Sequence, residues 1–147
     1  MRRILFLVSL QLLILIGCTD SPEITVDMSP LGGRDIYALH CQVCHGADGR
    51  GISGNCPPFR GSSRIGAQER EGLLEVVLLG RSGVVERDGH SYLGIMPAWR
   101  NKLTDGQIAD VMNFIQSSSW GGEWGRFDAS EIAAVRQMIV GKPHFSE

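Results

Sequence analysis

Cys41-Gln42-Val43-Cys44-His45 is the stretch of this 147-residue sequence from which the other assignments follow. Two thiols three residues apart fall on one turn of a helix, and an imidazole comes directly after them. This is the C-x-x-C-H form of covalent c-type haem attachment. Both sulfurs reach the vinyl groups of one porphyrin as thioethers, and the following histidine lies under the iron and supplies a ring nitrogen. Three other chemistries use the same residue types. A thioredoxin-like pair wants a βαβ setting, which this glycine-rich, helix-punctuated chain does not offer. A structural zinc site needs a second ligand pair, and Cys56 with His90 or His40 makes a poor one. A disulfide is sterically possible in an exported chain but leaves His45 unexplained. The motif occurs once, so one haem is expected.

An iron with one histidine needs a sixth ligand or stays open. Met96 stands out because Gly94-Ile95-Met96-Pro97-Ala98-Trp99 is an irregular, Gly/Pro-bounded segment about fifty residues beyond His45, able to bring a sulfur to the far face of a haem. Met112 and Met138 fall on apolar helical stripes and read as core-filling side chains, while Met28 lies in a polar lead segment. His90 follows Asp88-Gly89, a hairpin turn signal with Val84 and Val85 on one arm and Tyr92 on the other, and reads as an exposed turn residue. His40 precedes Cys41 and points away from the iron, and His144 lies in the tail. Trp99 and Trp120 either line the haem or are plain core.

Outward from these residues, the amino terminus has the pattern of an export signal. Arg2 and Arg3 precede residues 4–16, which are apolar apart from Ser9 and Gln11. Thirteen residues are too few to span a bilayer comfortably and fit a signal-peptide core. The run ends in Leu15-Ile16-Gly17-Cys18, which resembles the bacterial lipobox, so residues 1–17 are expected to be a lipoprotein signal peptide and Cys18 the lipidated first residue of the mature chain. Residues 18–30, polar and containing Pro22 and Pro30, read as a tether. A domain over residues 31–140 and a tail over 141–147 complete the organisation. Cleavage leaves 130 residues with 12 basic against 16 acidic side chains, a net charge of -4. Without a basic run beyond Arg3, nucleic acid is not an expected partner. Glycine, at 19 residues, is roughly twice its average usage and predicts short helices joined by tightly turned loops.

Four helices are expected. Ser29-Pro30 starts one that ends near Cys44, with Tyr37 on its apolar side and Gly46 as the stop. Residues 69–79 carry Leu73, Val76 and Val77 at helical spacing and close at Gly80. Thr104 and Gln107 form a capping-box pattern before Ile108, Val111, Met112 and Ile115. Ser130 caps a last helix through Ile132, Val135 and Ile139, closed by Gly141.

Cys41-Gln42-Val43-Cys44-His45-Gly46, Met96-Pro97-Ala98-Trp99 and the Thr104-Asp105-Gly106-Gln107 helix start together resemble a class I cytochrome c of the small bacterial type. Residues 80–99, and residues 119–122 followed by 130–136, look like the monohaem domains of cytochrome subunits in periplasmic oxidoreductases. The resemblance implies an all-α cytochrome c fold, with long loops around one covalent haem c and a small hairpin before the methionine loop. It implies His45 and Met96 as axial ligands. It also implies a loop proline carbonyl accepting the other N–H of His45, for which Pro57 and Pro58 are the candidates. Trp99 joins Cys41 and Cys44 as a candidate haem-binding residue, and Arg60 and Arg64 are possible propionate partners. Cys56 departs from the family pattern and reads as a small buried residue on the loop under the proximal face.

The implied function is one-electron transfer, not catalysis, on the periplasmic side of a bacterial membrane. Partners would be a redox donor and acceptor that dock transiently, with the membrane held through Cys18 and no small-molecule substrate. Either a mobile carrier or the haem subunit of a larger oxidoreductase satisfies this, and an exposed apolar patch over residues 120–127 would favour the subunit. A ligand sensor or catalytic haem protein is the alternative if Met96 does not hold the iron.

Overall fold

The computed structural model describes residues 31–61, 70–120 and 124–143. The expectations for residues 1–30, Cys18 among them, and for Arg64 and His144 lie outside the described residues. Helix α1 spans Gly33–His40, α2 Gln42–His45, α3 Arg70–Leu79, α4 Asp105–Ser117 and α5 Ala129–Met138; strands β1 Val85–Arg87 and β2 His90–Tyr92 lie between α3 and α4.

Helix α1 starts later than expected. Gly32 is its N-cap, and the Gly32 carbonyl accepts from the amides of Asp35 (3.0 Å) and Ile36 (3.1 Å). The chain then breaks step at Cys41 and re-enters helix for a single turn ending at Gly46. Ile36 and Tyr37 are buried where α1 packs across α4. The capping box of α4 forms as its sequence requires: Gln107 N–H donates to Thr104 Oγ1 (3.3 Å) and Thr104 N–H to Gln107 Oε1 (2.9 Å). Its Ile108, Val111, Met112 and Ile115 are buried between α1 and α5.

Two other helices differ in detail from expectation. In α3 the buried side chains are Leu74, Leu78 and Leu79, with Leu73 and Val77 only partly covered and packed at the core's edge. The run is apolar nearly all round, so the helical period alone does not select the stripe that faces the core. In α5 the cap is Asp128, whose carboxylate accepts from Glu131 N–H at 3.0 Å, and Ser130 donates to that same carboxylate. Phe127 is fixed just ahead of it by Asn113, whose amide exchanges two hydrogen bonds with the Phe127 backbone (2.9 and 2.8 Å), so the helix begins one residue before Ser130. Met138 is 63% exposed rather than core, because Ile139 takes the inward position at the helix end.

Among the described residues, Trp120 and residues 124–127 do not present an apolar patch. Trp120, Trp124 and Phe127 are buried in the core cluster. Arg70 holds the segment down: its guanidinium pairs with Glu131, donates to the carbonyls of Trp124, Gly125 and Arg126, and lies 3.7 Å from the Phe127 ring centroid.

Candidate functional site

Cys41, Cys44 and His45 lie on a single turn. The Cys41 carbonyl accepts from the amides of Cys44 (3.2 Å) and His45 (2.9 Å), which sets the two thiols three residues apart on one side of α2. Both thiols are free and partly buried. Burial, then the neighbouring Cys44, pushes the Cys41 thiol up to about 11.

Beyond Gly46 the chain folds back on His45. Ile52 and Cys56 exchange backbone hydrogen bonds of 2.8 Å in each direction, closing a small loop that returns the next residue to the imidazole. The Pro57 carbonyl oxygen lies 3.3 Å from His45 Nδ1. A carbonyl can only accept, so Nδ1 carries the proton and Nε2 is left as the ring's electron-pair donor. Burial drops the His45 pKa to about 4, against a smaller upward pull from the Pro57 bond, so the ring is neutral near pH 7. It is Pro57, not Pro58, that carries this contact.

Two further side chains lie against His45. Phe59 stacks on the ring at 4.2 Å between centroids and 21° between planes, and stacks in turn on Trp120 at 5.8 Å. Phe59 sits in a loop without periodicity that no sequence signal singled out, and a backbone hydrogen bond from its N–H to the Gly49 carbonyl (2.8 Å) anchors it there. Cys56, 8% exposed, places its sulfur 3.4 Å from His45 Nδ1. Burial, then Cys44, pushes this thiol up to about 12.

Met96 lies on a non-helical strap bonded to the end of α3. Arg81 and Met96 exchange backbone hydrogen bonds, both 2.8 Å, and the amides of Trp99 and Arg100 reach back to the carbonyls of Val77 (3.1 Å) and Leu78 (3.2 Å). Gly80 makes this closure possible: its φ is +75°, and a Cβ there would lie 2.5 Å from the Met96 carbonyl oxygen. Met96 itself is half-buried against the core. Trp99 is buried, with His40 (4.9 Å between ring centroids) and the Lys102 ammonium (5.3 Å) as ring neighbours, while the ring stacked on His45 is that of Phe59. Arg60 donates to the Asp48 carbonyl.

The donor set fits a covalently held haem: two free thiols on one turn, a neutral imidazole oriented through Nδ1, and a thioether on a braced strap. The surroundings fit too. Val43, Ile52, Leu93 and Ile95, all large, apolar and exposed, lie on the segments that carry these donors, where a flat apolar macrocycle would cover such surface.

Comparison with known proteins agrees. The family described as Cytochrome c matches residues 32–119. Cytochrome c-552 of Thermus thermophilus is 41% identical over 112 residues, covering 71% of this chain and 83% of that protein. The cytochrome c subunit of alcohol dehydrogenase (quinone) from Gluconobacter oxydans (strain 621H) is 31% identical over 106 residues, 71% of this chain and 22% of that protein. The gluconate 2-dehydrogenase cytochrome c subunit of Pantoea cypripedii is 32% identical over 115 residues, 76% of this chain and 25% of that protein. The chain thus spans only about a fifth to a quarter of the dehydrogenase subunits it matches.

Proposed function

The chain belongs to the cytochrome c family, and on that premise we propose that Cys41 and Cys44 hold its haem while His45 and Met96 ligate the iron. Its function is electron transfer with one covalent haem c, and its partners are redox proteins. Bound haem supplies one-electron exchange between Fe(II) and Fe(III).

The chain's own residues prepare that chemistry. Pro57 fixes the His45 tautomer and ring plane, and Phe59 covers one face of the imidazole and keeps water from it. The Arg81–Met96 pairing holds the methionine strap, and the Met96 thioether would be the second protein donor to the iron of a bound haem. A soft sulfur favours the reduced iron, which suits a carrier rather than a catalyst. The observation that supports this reading best is the Pro57 carbonyl on Nδ1, since it leaves Nε2 as the donor.

Residues 31–140 form the haem domain, residues 1–17 the signal peptide, and Cys18 with residues 19–30 a lipid tether at the periplasmic side of a bacterial membrane. Among the described residues no helix is long and apolar enough to cross a membrane. Burial of Trp120, Trp124 and Phe127 removes the feature that would have favoured a fixed subunit, so the mobile carrier is the better reading. Membership of a dehydrogenase, as the names of two relatives suggest, would require another docking surface.

The test is an optical spectrum of a soluble chain beginning at Thr19, matured with haem-attachment machinery. A low-spin c-type spectrum with the far-red band of sulfur-ligated ferric haem, unchanged by carbon monoxide, is the expected result. Met96→Ala should abolish that band, lower the potential and admit carbon monoxide. A wild-type spectrum that is high-spin or sensitive to carbon monoxide would replace the carrier with a sensor or catalytic haem.

A further inference from the structure

The hairpin between Gly80 and Met96 has two unlike faces. Its register pairs Val85 with Tyr92, Glu86 with Ser91 and Arg87 with His90, so Val85, Arg87, His90 and Tyr92 share one face. On the other face Ser91 Oγ donates to Glu86 Oε1 at 2.6 Å, and both residues are exposed. On the first face Tyr92 is buried, Val85 and Arg87 are half-buried, and His90 at the turn is exposed.

Tyr92 and Cys56 are buried, yet neither belongs to the main core cluster. What joins their segments is a direct seam between hairpin and proximal loop. Leu93 N–H donates to the Gly54 carbonyl at 2.9 Å, and Gly94 packs so closely against the Asn55 carbonyl that a Cβ has no room. The hairpin thus lies along the loop that delivers Cys56 and Pro57 to His45. On that same inner face the Arg87 side chain is half-covered, and its guanidinium Nε is buried.

We propose that Arg87 sets the electron affinity of this site: its guanidinium, held on the inner face of the hairpin beside the His45 loop, is a fixed positive charge that stabilises the reduced carrier. The inference rests on the haem reading above. Accepting one electron lowers the charge of the site by one, and a nearby cation favours that change. A half-buried position strengthens the effect, because solvent screens it less than on an open surface. Arg87 is a positioning residue for charge, acting across the Cys56–Pro57 loop.

The test is a spectroscopically monitored redox titration of the haem-loaded chain. Arg87→Gln should shift the midpoint potential downward and Arg87→Glu should shift it further. Arg87→Lys, which keeps the charge and changes the shape, should stay near wild type. Glu86→Gln, on the outer face, should move the potential less than Arg87→Gln does. An unchanged potential in Arg87→Gln, or an equal fall in Arg87→Lys, would overturn the proposal, the second by showing that packing and not charge is at work. If Arg87→Gln loosens the hairpin, its low-spin spectrum will change, and the Lys and Glu variants then separate charge from fold. Failure of the haem reading would look different, since the wild-type chain would itself lack the low-spin spectrum.

Discussion

The Tyr37 hydroxyl donates to the Gly46 carbonyl at 2.6 Å, tying the middle of α1 to the residue that ends the Cys-x-x-Cys-His turn. The ring also packs among Phe59, Phe114 and Trp120. Tyr37→Phe keeps the packing and deletes the bond, and should cost about 1 kcal/mol of stability, read as a lower urea midpoint. Burial, then nearby Cys41, raises this phenol well above its ordinary 10. A raised acid pKa stabilises the fold fully below pH 10 and ceases to do so as pH climbs past it. The wild type should therefore lose stability above pH 10 more steeply than Tyr37→Phe, in urea titrations from pH 8 to 11.

Gly80→Ala is expected to loosen the methionine strap. The residue would carry a side chain at a φ of +75° and press on the Met96 carbonyl. The left-handed conformation alone costs a non-glycine residue about 1–2 kcal/mol. The far-red ferric band should weaken and carbon monoxide binding should appear, while thioether attachment at Cys41 and Cys44 persists. A variant with an unperturbed band would show that the strap does not depend on this turn.

Removing Arg70 should be more costly than removing its carboxylate partner. Arg70→Met strands Glu131 and releases three carbonyls at once, for a loss of about 2 kcal/mol in this partly exposed setting, whereas Glu131→Gln leaves the carbonyl contacts in place. Urea unfolding of both variants and of the double variant checks this order. Equal losses would place the whole effect in the ion pair.

Cys56 should be a slow thiol in the folded, haem-loaded chain that begins at Thr19. It is 8% exposed and its pKa is pushed up to about 12, by burial first. At pH 8, alkylation by iodoacetamide should be on the order of 100-fold slower than in denaturant. A comparable folded rate would mean that the sulfur is open to solvent.

The sequence by itself determined what depends on near neighbours along the chain. Cys41, Cys44 and His45 needed only one helical turn to come together, the Thr104–Gln107 box only four residues, and the Asp88-Gly89 hairpin only a turn in which both residues take positive φ, 50° and 78°. Tertiary structure alone decided the rest, because it turns on which surfaces meet. The apolar run of α3 had several equivalent stripes, and packing selected Leu74, Leu78 and Leu79. Asp128 displaced Ser130 as a cap because Asn113, fourteen residues away, fixes Phe127. Whether Trp120, Trp124 and Phe127 are exposed depends on distant partners, and here the core takes all three while Arg70 holds the carbonyls of Trp124, Gly125 and Arg126. Phe59 reaches His45, and the hairpin carrying Arg87 reaches the proximal loop, through contacts such as Leu93 to Gly54 between residues far apart in sequence, and no local period records such contacts.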